Sequence, residues 1–290
     1  MASTQALKGR IRSVSKTKQI TSAMQLVAAS RMRKAQEATK ASSPYTQAAR
    51  DLLSALASHY SVKDHPMFEK RDVKTRLLIV IASDSGLAGA FNSNLNRLYA
   101  QELLKDDKSG IKNTTITVGR KAAQFAARLK DTEILGAYQG LPDRPGGAEL
   151  RTILDTAKDH FLSGKVDAVD IIYTDYINAV RQEATVLRVL PAGANLDVEP
   201  GTVNRDVLYE PSVDEVIDSI AYRLVGAQLF QALLDSRASE YSMRMMAMKN
   251  ATDNASDLIE DLTLEMNKAR QAAITQELSE ISGGVEALND

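Results

Sequence analysis

One run of four-and-three spacing does most to decide what this chain can become. Residues recur at Leu234, Ala238, Tyr241, Met245, Met248, Thr252, Ala255, Ile259, Leu262, Met266, Ala269 and Ala273, and of these only Thr252 is polar. A stripe held at 3.5 residues per turn for over five heptads specifies a left-handed coiled coil. One face of an ordinary globular helix is the alternative, but such helices seldom pass about 20 residues. No Pro interrupts Val213 to Ser282, and at 1.5 Å per residue that stretch predicts a rod of roughly 105 Å. Such a rod needs a partner helix.

The other long helical pattern is N-terminal, from Leu7 to about Tyr60. Leu7, Ile11 and Val14 open a stripe, Ile20, Met24 and Val27 extend it, and Ala28, Met32, Ala35 and Ala38 follow less regularly. Pro44 is expected to kink or end the helix, and Tyr45, Ala48, Leu52 and Leu56 restart the period. The first 36 residues carry eight cations and no acid, although the whole chain is at −1. Such an acid-poor, Ser-bearing start has the composition of an organellar transit peptide. The helical pattern runs past residue 36 without a break, however, and reads as mature structure.

Between the helices the character changes. LLIVIA (Leu77–Ala82), TTITV (Thr114–Val118), AVDIIYT (Ala168–Thr174) and EATVLRVL (Glu183–Leu190) are strand candidates. Helical stretches over Asn92–Leu104, from GRK through Leu129, and over about Ala148–Leu162 alternate with them. This alternation predicts a mainly parallel sheet covered by helices, with the last two strands as an antiparallel hairpin. The expected fold is therefore α/β: a long antiparallel coiled coil of the N- and C-terminal helices, residues 1–60 and 211–284, with a Rossmann-like α/β domain inserted at 73–200. The many Ala, Thr and Met seam positions let the two helices approach closely and suit a seam that tolerates sliding or torsion.

Signals for chemistry are sparse. The chain has no Cys, which removes disulfides, thiolate catalysis and Cys-ligated metals. Its longest apolar runs are too short to span a membrane. His59, His65 and His160 are scattered, without metal-ligand spacing. SDSGLAG follows a strand but lacks both the GK[ST] of a P-loop and the G-x-G-x-x-G order. It reads as a turn, with an interaction loop and a nucleotide site as alternatives. Asp84 stands at the strand end with nothing nearby in sequence to complete a site. The N-terminal cations could bind nucleic acid, yet no aromatic is interleaved with them and no reading-helix motif appears. They could also form a solvated face, though the absence of any acid is lopsided for that. An α/β phosphotransferase or hydrolase with a coiled-coil arm, and a cationic coiled-coil nucleic-acid binder, stay open on residue patterns alone.

IRSVSKTKQITSAMQLVAASRMRKAQ, SDSGLAGAFN and RMMAMKNATDNASDLI, with NKARQAAITQELSEISGG, resemble the gamma subunit of F-type ATP synthases. The likeness is close at both ends and looser in the middle. Ile274, Thr275, Glu277, Glu280 and Gly284 match the family's C-terminal signature; Val285 departs from its Ala, and Ala88 stands where some relatives carry Cys. The resemblance implies a non-catalytic axle, without cofactor or metal, inside a hexamer of alpha and beta subunits. It implies that Met24, Arg31, Arg33 and Lys34 face an acidic segment of the beta subunits. It implies further beta-subunit contacts at Arg244, Arg270, Gln271, Thr275 and Glu277, and that Tyr209 and Glu210 face the membrane ring of c subunits. The epsilon subunit is an implied partner, while nucleic acid and direct membrane insertion are not. Without a cysteine pair of the chloroplast type, the resemblance favours a bacterial enzyme, peripheral on the cytoplasmic face of the cell membrane.

Overall fold

The computed structural model describes residues 4–59, 65–129, 132–143, 147–192 and 212–289. The elements run α1 (Thr4–His59), β1 (Thr75–Ile81), α2 (Phe91–Ser109), β2 (Lys112–Val118), α3 (Arg120–Ala126), β3 (Glu133–Tyr138), α4 (Gly147–Leu162), β4 (Ala168–Tyr176), β5 (Gln182–Leu190) and α5 (Val213–Asn289). They group into two compact units, Met1–Ala28 with Arg244–Asp290, and Ala29–Met243.

In the first unit, segments of α1 and α5 pair along a narrow seam. Leu7 and Ala28 are buried from one helix, and Met248, Ala255 and Leu262 from the other. The Thr21 and Thr252 hydroxyls lie 2.7 Å apart across it. The spacing-based seam of α5 is the buried one as far as Leu262, and on α1 the expected Leu7 and Ala28 are buried, but the stretch between them is displaced. Ile20 and Val27 are 60% and 53% exposed, whereas Thr21 and Ala28, one residue on, are buried. The cause is size: Thr and Ala let the backbones approach, while Ile and Val at the contact would hold them apart. Antiparallel steps from Thr21 and Thr252 put Thr4 opposite Ala269, so α5 outruns its partner there. Residues 271–279 are accordingly exposed on every side.

In the second unit the sheet order is β3-β2-β1-β4-β5. β1 is parallel to β2 and β4, β2 to β3, and β5 closes the edge antiparallel to β4. The central strand β1 is buried from Arg76 to Ile81, which is why it reads as a continuous apolar run. Helices α2 and α3 cover one face through Leu95, Tyr99, Ala122 and Ala126. Helix α4 covers the other through Ile153, Leu154, Ala157 and Phe161. That second face also takes Ala221, Val225, Leu229, Ala232 and Leu233 from α5. The sheet's core therefore reaches beyond the insert into the C-terminal helix. At Gly226 of α5 an added Cβ would sit 3.2 Å from Leu154 Cδ2, so the missing side chain sets how closely α4 and α5 pack. In this unit too α1 runs antiparallel to α5: Ala35 packs with Ala238 and Tyr241, and further along α1 Ser42 hydrogen-bonds Gln231.

Two local expectations change. Helix α1 continues through Pro44. The ring and Lys40, whose carbonyl loses its usual donor, are both exposed, so water can take the place of the lost hydrogen bond. Strand β3 lies in the stretch expected to be loop after Leu129. It is an edge strand, half exposed, interrupted by Gly136 and paired across a register shift at Thr115/Ile116.

Candidate partner interfaces

Two exposed regions and the loop after β1 carry the candidate residues. On α1, Arg31, Arg33 and Lys34 are all exposed and Met24 is half-buried. The Arg31 guanidinium carbon lies 5.8 Å from the centroid of the Tyr241 ring. Burial pushes the Tyr241 phenol up to about 12, and its hydrogen bond to Asp143 adds to the shift. Earlier on α1, in the first unit, Leu26 joins Ile20 and Val27 as an exposed large apolar side chain, because the seam there lies one residue from the expected stripe.

At the far end of α5, Arg270, Gln271, Thr275 and Glu277 are exposed. The Thr275 hydroxyl donates to the Gln271 carbonyl at 3.0 Å and is thereby engaged within the helix. Ile274, Leu278 and Ile281 are 49%, 60% and 65% exposed. Their four-three spacing forms an apolar stripe that residue choice based on hydrogen-bonding groups passed over; the spacing alone would have found it. Arg244, in contrast, is only 8% exposed. Tyr209 and Glu210 lie outside the described residues.

In the SDSGLAG loop Ser83 and Asp84 are engaged in hydrogen bonds, while Ser85 to Leu87 are exposed. Asp84 accepts from the Arg120 amide at 2.9 Å and the Gly140 amide at 3.2 Å, while the Arg120 side chain donates to the Asp84 carbonyl. Gly119 (φ 92) is required at this junction, because a Cβ there would meet the Ala82 oxygen at 2.1 Å. The Asp84 carboxylate thus ties the ends of β1, β2 and β3 together. Among the described residues, no group of three or more His, Cys, Asp or Glu is arranged to hold a metal.

A protein-family profile described as ATP synthase matches residues 3–288. The ATP synthase gamma chain of Ralstonia nicotianae is 39% identical over 99% of this chain and 100% of its own length. This chain belongs to the ATP synthase gamma family. The gamma chain of Stenotrophomonas maltophilia is 40% identical, with 99% and 100% covered. Among solved structures, the mitochondrial ATP synthase rotor of Euglena gracilis has a TM-score of 0.64 at 18% identity, covering 93% of this chain and 98% of that one. A second Euglena gracilis structure, of OSCP, F1 and c-ring, gives 0.65 at 20% over 98% and 94%. At those identities the structures speak for the fold: long terminal helices around a five-stranded sheet. Family membership gives this chain the central-stalk role in ATP synthesis and ion transport, as a peripheral F1 subunit. Among the described residues, no helix is long and apolar enough to cross a membrane.

Proposed function

We propose that this chain is the non-catalytic axle of a bacterial ATP synthase, on the cytoplasmic face of the cell membrane. Its coiled coil turns inside a hexamer of alpha and beta subunits, and its foot engages the epsilon subunit and the c ring. Rotation driven by the ring sets which hexamer site is open for ATP synthesis or hydrolysis. The observation that carries this reading is the end of α5, a helix exposed on all sides over residues 271–279. An isolated helix is marginal in water, and the stripe of Ile274, Leu278 and Ile281 fits an enclosing apolar wall. Co-purification is the test: the tagged chain should come out of cells with a hexameric ATPase, and recovery of the chain alone would refute the axle.

Arg31, Arg33 and Lys34 supply charge complementary to an acidic surface on the surrounding subunits. Changing all three to Glu should lower coupling or association and leave the chain's own fold intact. Exposed ion pairs are worth about 1 kcal/mol or less, and the Arg31–Tyr241 contact about 0.5–1 kcal/mol. A triple variant that unfolds in isolation, or one that couples normally in the complex, refutes this role.

Arg270 and Gln271, with Thr275 and Glu277, offer hydrogen-bonding groups that can re-pair as the axle turns, the Arg fork being suited to a carboxylate. Arg270→Ala with Gln271→Ala should reduce steady-state ATPase or assembly. Melting of the isolated chain should barely change, because both side chains are exposed and Ala favours the helix. Equal turnover at equal occupancy would make the pair a solvated surface.

A further inference from the structure

A polar run on α5, DSRASEYS at Asp235–Ser242, is buried almost throughout. Ser and Asp are poor residues for a helix interior, and the heptad seam needs only Ala238 and Tyr241 of this run. Four of the others, Ser236, Arg237, Ser239 and Ser242, turn toward the carboxyl end of the sheet. The β1–β4 ladder ends at Val80↔Ile172. Past that end, the Ser236 hydroxyl donates to the Ile81 carbonyl and the Ser239 hydroxyl to the Thr174 carbonyl, both at 3.3 Å. The Ser242 hydroxyl donates to the Ala179 carbonyl in the β4–β5 turn at 2.8 Å. Arg237 donates to the Leu141 carbonyl beyond β3 at 3.0 Å and pairs with Asp84 beyond β1 at 3.7 Å. Strand order reverses between β1 and β4, and in open α/β sheets the crevice at that point is where ligands bind. Here α5 occupies it.

We propose that residues 236–242 of α5 form a torque clamp: this stretch of the helix fills the sheet's ligand crevice and is pinned to three strand ends, so that it and the α/β sheet turn together. The inference rests on the central-stalk reading. Four donors spread over two helical turns and reaching separate strands resist rotation of the helix about its own axis, which a greasy contact alone does weakly. Two of the pins, at Ile81 and Thr174, are backbone carbonyls of the strands themselves, so they do not shift with side-chain rotamers.

The test compares wild type with Ser236→Ala/Ser239→Ala, and with the same pair plus Arg237→Met. Amide exchange on the isolated full chain should rise at least about tenfold at the ends of β1 and β4. In the membrane-reconstituted complex, ions moved per ATP hydrolysed should fall twofold or more while hydrolysis continues. Arg237→Lys, which keeps the charge against Asp84, should fall between. If the triple variant does not assemble, the Ser pair decides, since it removes only two oxygens. Unchanged exchange in the isolated chain overturns the pinning whatever the chain assembles with. Raised exchange with an unchanged ratio of ions to ATP overturns the torque role and leaves the stalk reading standing.

Discussion

Arg76→Met should cost the chain about 3–5 kcal/mol, the typical penalty for breaking a buried ion-pair network from one side. Arg76 leaves β1 beneath α2 with its side chain 7% exposed. Its Nε meets Asp170 of β4, and its Nη1 meets Glu102 at 2.8 Å and Asp106 at 3.0 Å on α2. Burial works against the guanidinium charge, but Asp170, Glu102 and Asp106 outweigh it and hold the group above its ordinary range. Arg188 of β5 also holds Asp170, with Nη2 at 2.9 Å. With Arg76 gone, Asp170 keeps that one partner, and Asp106, buried as well, loses its cation.

An orphaned buried carboxylate protonates more readily. The deficit comes from uncompensated negative charge, so it should shrink toward acid pH, where carboxylates are neutralised, and grow toward neutral. Urea unfolding at pH 5 and pH 8 reads this directly. Adding Glu102→Gln and Asp106→Asn to Arg76→Met should recover most of the loss, because no buried anion is then left without a cation. A single-variant loss below about 1 kcal/mol would mean that water already reaches the network.

What could be read in the residues follows from how each element is buried. β1 is covered on both faces and appears as LLIVIA; the C-terminal seam is covered along one stripe and appears as heptads. β3 is half exposed with Gly136 inside it, so neither periodicity nor a continuous apolar run announces it. The α1 seam misleads for a related reason. Between residues 20 and 28 its buried members are small, Thr21 and Ala28, and stand beside larger apolar residues that stay exposed. A hydrophobicity stripe follows the larger side chains, while close helix packing selects the smaller. Helix α5 hides a second task, because Ala221, Val225, Leu229 and Ala232 cover the sheet on a helix whose spacing was accounted for by pairing with α1. The interface candidates divide in the same way. Exposed Arg31, Arg33, Lys34 and Arg270 can be read as charge on a helix, but the burial of Arg244 depends on neighbours distant in sequence. The resemblance supplied Arg244 as a contact position, and nothing in its local pattern distinguishes it from the exposed arginines.

Asp235→Asn should stabilise the chain at pH 8 and leave it unchanged near pH 4. Asp235 lies on α5 at 7% exposure. Gln231 Nε2 donates to both of its oxygens, at 3.1 and 3.2 Å, and Gln231 is in turn held by Ser42 of α1. Thr39 of α1 lies alongside, and Asp175 at the end of β4 adds a like charge. Burial first, and Asp175 with it, push the carboxyl from 3.8 up to about 6, against the pull of the Gln231 hydrogen bonds and the nearby Thr39 hydroxyl. A raised folded-state pKa means that protonation favours the native chain. The associated stability is fully present below about 3.8 and is lost as pH rises through about 6. At about 1.4 kcal/mol per unit, the charged form costs about 3 kcal/mol at pH 8. Asn keeps an oxygen for the Gln231 donor and carries no charge, so it removes that cost. The variant should melt several degrees higher at pH 8, taking about 2–4 °C per kcal/mol for a chain near this size. Its stability should also be flatter between pH 5 and 8 than that of the wild type. The decisive quantity is the difference in pH slope from urea unfolding of the two chains: equal slopes would mean that Asp235 is hydrated where α1 meets α5.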